Sequence, residues 1–360
     1  MTASEGTSAV GVNKRIAGRA ELDYNGRKGA EQMTPTRVII DTDPGIDDAL
    51  ALILAFASPG LVVEAMTTVA GNVPVAQAAR NACMLLEMVD PHPRPPVAVG
   101  AAHPLSKPLR TAQDYHGEDG LGELSRFKTE GGMPRYPEPQ QLPAPQPAPA
   151  LIAEIISSAP GEIVLICLGP LTNLAMAIQA APTEMAKVKE IVIMGGAIQV
   201  PGNVTPGAEF NLYTDPDAAK LVFTSGLPIT LIPLDVTQRV MLTAELIDAV
   251  VRHIDSRVTQ FVRDTTERLF GVEQRRTGYA ALPLHDPLAV GIVIDRSLIS
   301  SQPLYVEVET GDGPAQGMTV ADRRPIKKEW KKPPNLQVCM EVDAGRFMAL
   351  FLERICRPPA

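Results

Sequence analysis

The sequence predicts a single α/β domain built on a mostly parallel, doubly wound, Rossmann-like sheet with helices on both faces. From Arg37 onward, short runs rich in Val, Ile and Leu alternate with longer helical patterns. Continuous apolar strands of this kind are typical of a parallel sheet that is buried on both faces. The 360 residues, 45% of them hydrophobic, suffice for one large core. Such sheets bind ligands beyond the carboxyl ends of their strands, where we expect the site.

The predicted elements follow one another along the chain. The candidate strands are 37–41, 61–68, 97–100, 162–167, 189–194, 229–233, 303–308 and 336–341. The candidate helices are 48–57, 75–89, 149–158, 171–180, 215–224, 243–270 and 344–354. One domain is expected to span residues 37–357, after a polar, Gly- and Ala-rich extension, 1–36, that is predicted to be flexible. Seven prolines between 130 and 149 predict a surface loop of polyproline character.

Composition and charge argue against several classes of protein. The formal net charge is −8 and no long basic run occurs, so nucleic acid is not an expected partner. The apolar runs reach only about nine residues, too short to span a bilayer, so no membrane partner is expected either. Cys83, Cys167 and Cys339 lie in apolar stretches and are predicted to be buried thiols, which suits a reducing compartment. A cytoplasmic protein is therefore predicted.

Four carboxylates occur within eight positions at the end of the first predicted strand. They belong to the segment Asp41–Asp48, with the sequence DTDPGIDD. Like charges so close repel one another, and a bound cation or a shared proton relieves the repulsion. Oxygen ligands favour Ca²⁺ or Mg²⁺ over zinc. Asp47 and Asp48 could simply complement the positive end of the dipole of the following helix. That interpretation leaves Asp41 and Asp43 unexplained.

Further polar clusters follow the other predicted strands. They are Gly71-Asn72, Tyr115–Gly120, Gly169–Asn173, Met194–Gly196, Gly202-Asn203, Glu209–Asn211 and Leu284–Pro287. Each cluster has an ordinary interpretation as a turn, a helix cap or a core residue. Their shared place at the carboxyl ends of strands predicts that they converge over the sheet.

The ordered set of motifs resembles the inosine–uridine-preferring nucleoside hydrolases over about residues 37–355. The motifs that carry the resemblance are Asp41–Asp48, Val69–Asn72, His116-Gly117, Leu168–Asn173, Met194–Gly196, Asn203, Glu209–Asn211, His285–Pro287 and Tyr305–Thr310. The resemblance implies hydrolysis of the N-glycosidic bond of small ribonucleosides to free base and ribose, in nucleoside salvage or catabolism. It also implies a homodimer or homotetramer.

The resemblance further implies a metal site and a substrate site. Ca²⁺ would be held by Asp43, Asp48, Asp286 and the backbone carbonyl of Leu168, a position where the family often has threonine. His116 matches a histidine near the nucleobase. The remaining residues implied in substrate binding are Asp47, Asn72, Met194, Asn203, Glu209 and Asn211.

The expected mechanism passes through an oxocarbenium-like transition state, as in glycoside hydrolysis. Asp43 is predicted to be the base that activates a Ca²⁺-bound water. His285 is predicted to protonate the leaving base, with His116 as the second candidate. The resemblance associates purine-specific members with tryptophans that sandwich the base. The chain has one tryptophan, Trp330, which disfavours that type.

Three alternatives remain open from the sequence. The chain could be a pyrimidine-specific ribonucleoside hydrolase, or a catalytically inactive nucleoside-binding or sensor protein, which Asp43 and His285 together argue against. A carboxylate-based phosphatase is disfavoured because Glu209 would repel a phosphate. The preferred base stays undecided, as does any contact between the base and Tyr279, Phe270 or Arg275.

Overall fold

The computed structural model describes residues 34–254 and 256–356. The predicted flexible extension, 1–36, therefore lies outside the described residues except for its last three positions. From Pro35 the described chain belongs to one compact unit. Within these residues, no helix combines the length and the apolar character needed to cross a membrane.

The helices and strands follow the predicted order with several additions. The strands are β1 (Thr36–Thr42), β2 (Leu61–Thr68), β3 (Val97–Val99), β4 (Val164–Cys167), β5 (Glu190–Met194), β6 (Ile229–Ile232), β7 (Met241–Thr243), β8 (Ala281–Pro283), β9 (Ile299–Leu304), β10 (Val306–Val308), β11 (Thr319–Ala321) and β12 (Leu336–Val342). The helices are α1 (Ile46–Phe56), α2 (Val75–Val89), α3 (Gln113–His116), α4 (Ala148–Ser158), α5 (Thr172–Ala180), α6 (Pro182–Met185), α7 (Phe210–Thr214), α8 (Pro216–Phe223), α9 (Leu234–Thr237), α10 (Ala244–His253), α11 (Arg257–Thr277), α12 (His285–Ile294) and α13 (Ala344–Ile355).

Eight strands of the described chain form the central sheet, in the order β3-β2-β1-β4-β5-β6-β12-β9. Neighbouring strands are parallel except at one edge, where β9 runs antiparallel to β12. The chain moves outward from β1 to β3 on one side and from β4 to β6 on the other. The order therefore reverses between β1 and β4, which is where such sheets bind ligands. The predicted doubly wound, mostly parallel sheet is confirmed.

Helices cover both faces of the sheet because alternate side chains of β1 point to opposite sides. Val38 and Ile40 belong to an apolar cluster that includes side chains of α1, α2, α11, α12 and α13. Ile39 belongs to a second cluster, with side chains of α4, α5 and α8. All three side chains are fully buried. A continuous apolar strand is thus explained by burial on two faces.

Residues 243–270 form two helices, α10 and α11, and the single helix predicted there is wrong. Ser256 begins α11, because its hydroxyl accepts a hydrogen bond from the backbone N–H of Thr259 (3.1 Å). The Thr259 hydroxyl accepts from the backbone N–H of Ser256 in return (3.1 Å), which completes a capping box. Gly278, with φ of +88°, ends α11 beyond the predicted boundary.

The predicted strand 303–308 is also divided. It contributes the end of β9 to the central sheet and all of β10, which pairs with β11 in a separate sheet. Asn335 explains the division, because its side chain takes up both backbone groups of Val306, at 2.8 and 2.9 Å. In the proline-rich segment, α4 begins at Ala148, within the predicted loop.

Candidate active site

The acidic segment lies at the reversal of the strand order. β1 ends at Thr42 and β4 ends at Cys167, and the last pair between the two strands joins Asp41 to Cys167. The backbone N–H of Leu168 donates to the carbonyl oxygen of Asp41 (2.8 Å). Asp43 and the Leu168 carbonyl therefore follow neighbouring strands directly, as the sequence predicts.

The first turn of α1 holds the carboxylate of Asp48. Its Oδ2 accepts from the backbone N–H of Gly45 (3.0 Å) and from Nδ2 of Asn72 (2.9 Å). The hydroxyl of Thr42 donates to Oδ1. A carboxylate at this position also complements the positive end of the helix dipole. Asp48 is thereby fixed by its own helix.

Asp43 lies in a space that only glycine neighbours allow. A Cβ atom at Gly71 would lie 2.0 Å from Oδ2 of Asp43, and one at Gly169 would lie 2.5 Å from Oδ1. Oδ2 accepts from the backbone N–H of Asn72 (2.6 Å). Oδ1 is buried and has no hydrogen-bond partner among the described residues. A buried acceptor without a partner is costly, so this atom is suited to bind a cation or to carry a proton.

Three carboxylates converge next to Asp43. Oxygen atoms of Asp47, Asp48 and Asp286 all lie within 4.8 Å of one another. Oδ1 of Asp47 is a further buried oxygen without a partner in the described chain. The structure thus brings the first turn of α1 against the first turn of α12.

Asp41 does not join this group. Its Oδ1 accepts hydrogen bonds from the hydroxyl of Thr67 (2.5 Å) and from Nδ2 of Asn173 (2.8 Å). The side chain therefore connects β1 to β2 and α5. Of the four carboxylates in the segment, Asp41 is the one that lies within β1, and its hydrogen bonds lead to β2 and α5.

Burial dominates the electrostatics of the acidic group. It raises the pKa of Asp47 from 3.8 to about 7, with the charge of Asp48 as the next cause. Burial also raises the pKa of Asp43 and of Asp286 well above the ordinary value, and the neighbouring aspartates raise both further. Water is excluded and the charges repel, so protons or a cation must neutralise part of the group.

A cavity of about 440 Å³ opens beside these acids. Ten of the predicted site residues line it: Asp47, Asn72, His116, Leu168, Met194, Asn203, Glu209, Asn211, His285 and Asp286. The other two, Asp43 and Asp48, are fully buried and hydrogen bond to Asn72. Residues from eight separate segments of the sequence are thus brought together, as a shared strand-end position predicts.

The amide of Asn211 joins two strand ends across the cavity floor. Its Nδ2 donates to the carbonyl oxygen of Leu168 (2.6 Å) and to that of Met194 (3.2 Å). A carbonyl oxygen has a second lone pair, so the one on Leu168 retains a site for a cation. Asn211 therefore fixes the orientation of a predicted metal ligand.

Glu209 and Asn203, which are also predicted to bind substrate, form hydrogen bonds within the surrounding loop. Glu209 caps α7, accepting from the backbone N–H of Asn211 (2.9 Å), and it accepts from the backbone N–H of Gly196 (3.0 Å). Oδ1 of Asn203 accepts from the backbone N–H of Phe210 (3.0 Å). Burial raises the pKa of Glu209, whereas these backbone donors lower it.

Two histidines line the cavity with Nδ1 of each ring engaged. Nδ1 of His116 accepts from the backbone N–H of Ile46 (3.2 Å). Nδ1 of His285 lies 2.7 Å from Oγ1 of Thr237. Burial lowers the pKa of His116 to about 3 and that of His285 to about 4, and the charge of Arg276 adds to the effect on His285. Burial therefore favours the neutral form of both rings, so a histidine that acts as an acid here must first take up a proton.

Sequence reasoning missed two residues of one cavity wall, Glu273 and Arg276, although it singled out their neighbour Tyr115. Tyr115 donates its hydroxyl to Oε1 of Glu273 (2.8 Å), and Nη1 of Arg276 lies 3.6 Å from the same oxygen. All three residues line the cavity. Glu273 and Arg276 belong to the part of α11 beyond its predicted end. The signal that could have found them is Gly278, a residue typical of helix ends.

The three residues that the sequence left undecided do not line the cavity. Tyr279 is 73% exposed, and Arg275 is exposed as well. Phe270 packs in the apolar core. Arg276, the neighbour of Arg275, faces the cavity in its place.

Fold and site together define an α/β enzyme with a buried acidic centre beneath a polar cavity. The sequence profile of the family described as "Inosine-uridine preferring nucleoside hydrolase" matches residues 38–349. The chain belongs to this family and is a hydrolase of N-glycosyl compounds. The resemblance drawn from the motifs is confirmed.

Characterised relatives and solved structures agree with this assignment. The chain is 39% identical over 320 residues to the pyrimidine-specific ribonucleoside hydrolase RihA of Photobacterium profundum, covering 88% of this chain and 98% of the relative. The Salmonella typhi protein of the same name is 37% identical, covering 88% and 97%. A plant nucleoside hydrolase structure is 36% identical with a TM-score of 0.81, covering 90% and 100%. The purine-preferring ribonucleoside hydrolase of Gardnerella vaginalis is 30% identical with a TM-score of 0.80, covering 89% and 98%.

Proposed function

We propose that the chain hydrolyses ribonucleosides to free base and ribose and that it depends on Ca²⁺. The observation that carries the proposal is the group of Asp47, Asp48 and Asp286, with oxygens within 4.8 Å of one another; Asp48 and Asp286 are buried and Asp47 is half-buried. It borders a cavity of about 440 Å³ in a member of the nucleoside hydrolase family. That volume is in the range of small-molecule sites.

The residues fit a hard divalent cation. Oδ1 of Asp43 and Oδ1 of Asp47 are buried without partners in the described chain, and the available donors are all oxygens. Asp43, Asp48, Asp286 and the carbonyl of Leu168 would hold the ion, with Asp47 in the same group. A bound Ca²⁺ supplies positive charge that favours ionised carboxylates and acidifies a neighbouring water.

The polar lining suits a neutral sugar. Asp47 and Glu209 offer acceptors for ribose hydroxyls, and the amides of Asn72 and Asn203 offer both donors and acceptors. Met194 adds an apolar surface for the ring. Two carboxylates and no phosphate-binding loop favour a nucleoside over a nucleotide, because a phosphate would be repelled here.

Two residues would perform the proton transfers. Asp43 accepts a proton from the attacking water, and burial favours this because it raises the pKa of the carboxyl above its ordinary value. Nε2 of His285 donates a proton to the leaving base as the electrons of the glycosidic bond move onto the base. The buried carboxylates stabilise the positive charge that develops on the sugar.

A preference for pyrimidines is the second candidate. The relatives RihA, at 37–39% identity, are named pyrimidine-specific. Trp330 is 76% exposed and does not line the cavity, so no tryptophan covers the base. Arg276 and Gln238 line the cavity and offer donors to carbonyl oxygens of a base.

The test is the release of ribose and free base from uridine, cytidine, inosine, adenosine and guanosine, with EDTA and after Ca²⁺ is restored. Ca²⁺-dependent release supports the proposal, and the ranking of bases decides between the two candidates. Nucleoside binding without release from any of the five contradicts it and supports a binding or sensor protein.

We also propose that the enzyme is a cytoplasmic homo-oligomer that acts in nucleoside salvage. Cys83, Cys167 and Cys339 are buried free thiols, which suits a reducing compartment. The oligomer rests on the family resemblance alone. Light scattering of the purified chain tests it, and a monomer at micromolar concentration contradicts it.

A further inference from the structure

The two nitrogens of His285 have different surroundings. Nδ1 is 2.7 Å from the hydroxyl of Thr237. Nε2 has no hydrogen-bond partner among the described residues, and the side chain lines the cavity. Thr237 itself is fully buried at the end of α9, the short helix that follows β6. The hydroxyl is therefore held by the scaffold rather than by a mobile loop.

His116 provides a contrast within the same cavity. Its Nδ1 faces the backbone N–H of Ile46, a group that can only donate. The Nδ1 of His116 must therefore accept, and its proton stays on Nε2. A hydroxyl can donate or accept, so the contact between Thr237 and His285 persists with a proton on Nδ1 or without one.

We propose that Thr237 is a positioning residue for the leaving-group acid: its hydroxyl anchors Nδ1 of His285 and holds Nε2 toward the leaving base. The proposal rests on the proposed function of the site. In the step concerned, the Nε2 proton passes to the base while the electrons of the bond from C1′ to the base nitrogen move onto the base. The step starts from the imidazolium, which carries a proton on each ring nitrogen. The neutral ring that remains keeps the Nδ1 proton, which donates to Oγ1 of Thr237, and a proton from solvent restores the imidazolium.

The kinetic test compares Thr237→Val, which keeps the shape, with Thr237→Ser, which keeps the hydroxyl. Thr237→Val should lower kcat on uridine by about 10- to 100-fold, part of the usual general-acid effect, with KM nearly unchanged. Its kcat on p-nitrophenyl riboside, whose leaving group needs no proton, should stay close to wild type. Thr237→Ser should restore activity on uridine. Equal losses on both substrates, or no rescue by serine, overturn the proposal.

A second measurement does not depend on activity. Side-chain ¹⁵N resonances of His285, assigned with His285→Gln, report which nitrogen carries a proton. In Thr237→Val they should shift, whereas those of His116 should stay in place. Unchanged His285 resonances overturn the inference, even in a chain that releases no ribose. Thr237→Ala provides the same comparison where the valine variant does not fold, and thermal unfolding monitors each variant.

Discussion

At the residue scale, Asp43 shows how burial and geometry combine in one side chain. One oxygen accepts the backbone N–H of Asn72, and the other has no partner in the described chain. Two glycines make the room, since a Cβ at either Gly71 or Gly169 would overlap the carboxylate. The carboxylate of Asp43 is thus positioned to bind a cation or to accept a proton, and both roles require its negative charge.

We expect Asp43→Asn to lower kcat by about 10²- to 10⁴-fold, because the amide can neither accept a proton nor supply a negative ligand. The measurement is kcat on uridine at saturating Ca²⁺. Asp41→Asn is the matched control, since Asp41 is equally buried but faces Thr67 and Asn173. The main effect of Asp41→Asn should be a lower free energy of unfolding, with a smaller effect on kcat. A wild-type kcat in Asp43→Asn would contradict the role of the base.

We expect His285→Ala to lower kcat on inosine or uridine by about 10²- to 10⁴-fold, the range of general acid catalysis. On p-nitrophenyl riboside the loss should be small, because that leaving group departs without a proton. His92→Ala is the control, since the His92 side chain is 76% exposed and outside the cavity. Losses of equal size on both substrates would rule out the proton transfer.

At the element scale, the start of α1 organises the site. Gly45 donates its backbone N–H to Asp48, and the next backbone N–H, from Ile46, goes to His116. One helix end therefore positions an acidic residue and a histidine that lie far apart in the sequence. Helix ends supply free N–H donors in this way because they lack intrahelical partners.

Gly45→Ala tests this arrangement. The φ of Gly45 is −90°, which suits any residue, so the effect of the substitution is steric. A Cβ would lie 2.7 Å from Nδ2 of Asn72 and 3.0 Å from the His116 ring. We expect kcat/KM on uridine to fall by up to about 10²-fold, as displacements near 1 Å do in active sites. Gly60→Ala, where nothing lies within 4 Å, is the control. An unchanged kcat/KM in Gly45→Ala would count against the packing described.

Elements were predictable from the sequence where local pattern and burial agree. β1, β2 and α2 match their predictions closely, because their apolar periodicity is strong. The single helix 243–270 was wrong because apolar periodicity continues across the junction, whereas the capping box at Ser256 divides it. The strand 303–308 was wrong because the side chain of Asn335 takes up the backbone groups of Val306, a contact across 29 positions.

At the scale of the whole molecule, the buried acids link stability to pH and to Ca²⁺. Burial raises the pKa of Asp41 and of Asp47 from 3.8 to about 7, and that of Asp286 well above 3.8. The folded chain therefore retains protons that the unfolded chain releases. These retained protons stabilise the folded chain at low pH. The free energy of unfolding therefore falls as the pH rises through the pKa values of the folded chain. His116 and His285 have lowered pKa values and act oppositely, and their effect fades as the pH rises past 6.5, the ordinary value that holds in the unfolded chain.

We expect the melting temperature in EDTA to fall between pH 6.5 and pH 8, because the buried acids of the folded chain release protons in that window while the opposing effect of the histidines fades. Ca²⁺ competes with protons for the same oxygens, so its stabilisation should be larger at pH 8. At a hundred times its Kd, a ligand adds about 2.7 kcal/mol. The measurement is thermal unfolding at both pH values with EDTA or Ca²⁺. A melting temperature in EDTA that rises over this window would contradict the buried-acid account.

The sequence by itself determined the doubly wound sheet, the strand ends at which the polar residues gather, and the family. Those features depend on periodicity and on short motifs, which are local. Only the tertiary structure decided that Asp41 contacts Thr67 and Asn173 instead of joining the other carboxylates. It also placed Glu273 and Arg276 in the cavity wall and Thr237 against His285. These outcomes depend on distances between segments far apart in the chain, and such distances arise only when helices pack on the sheet.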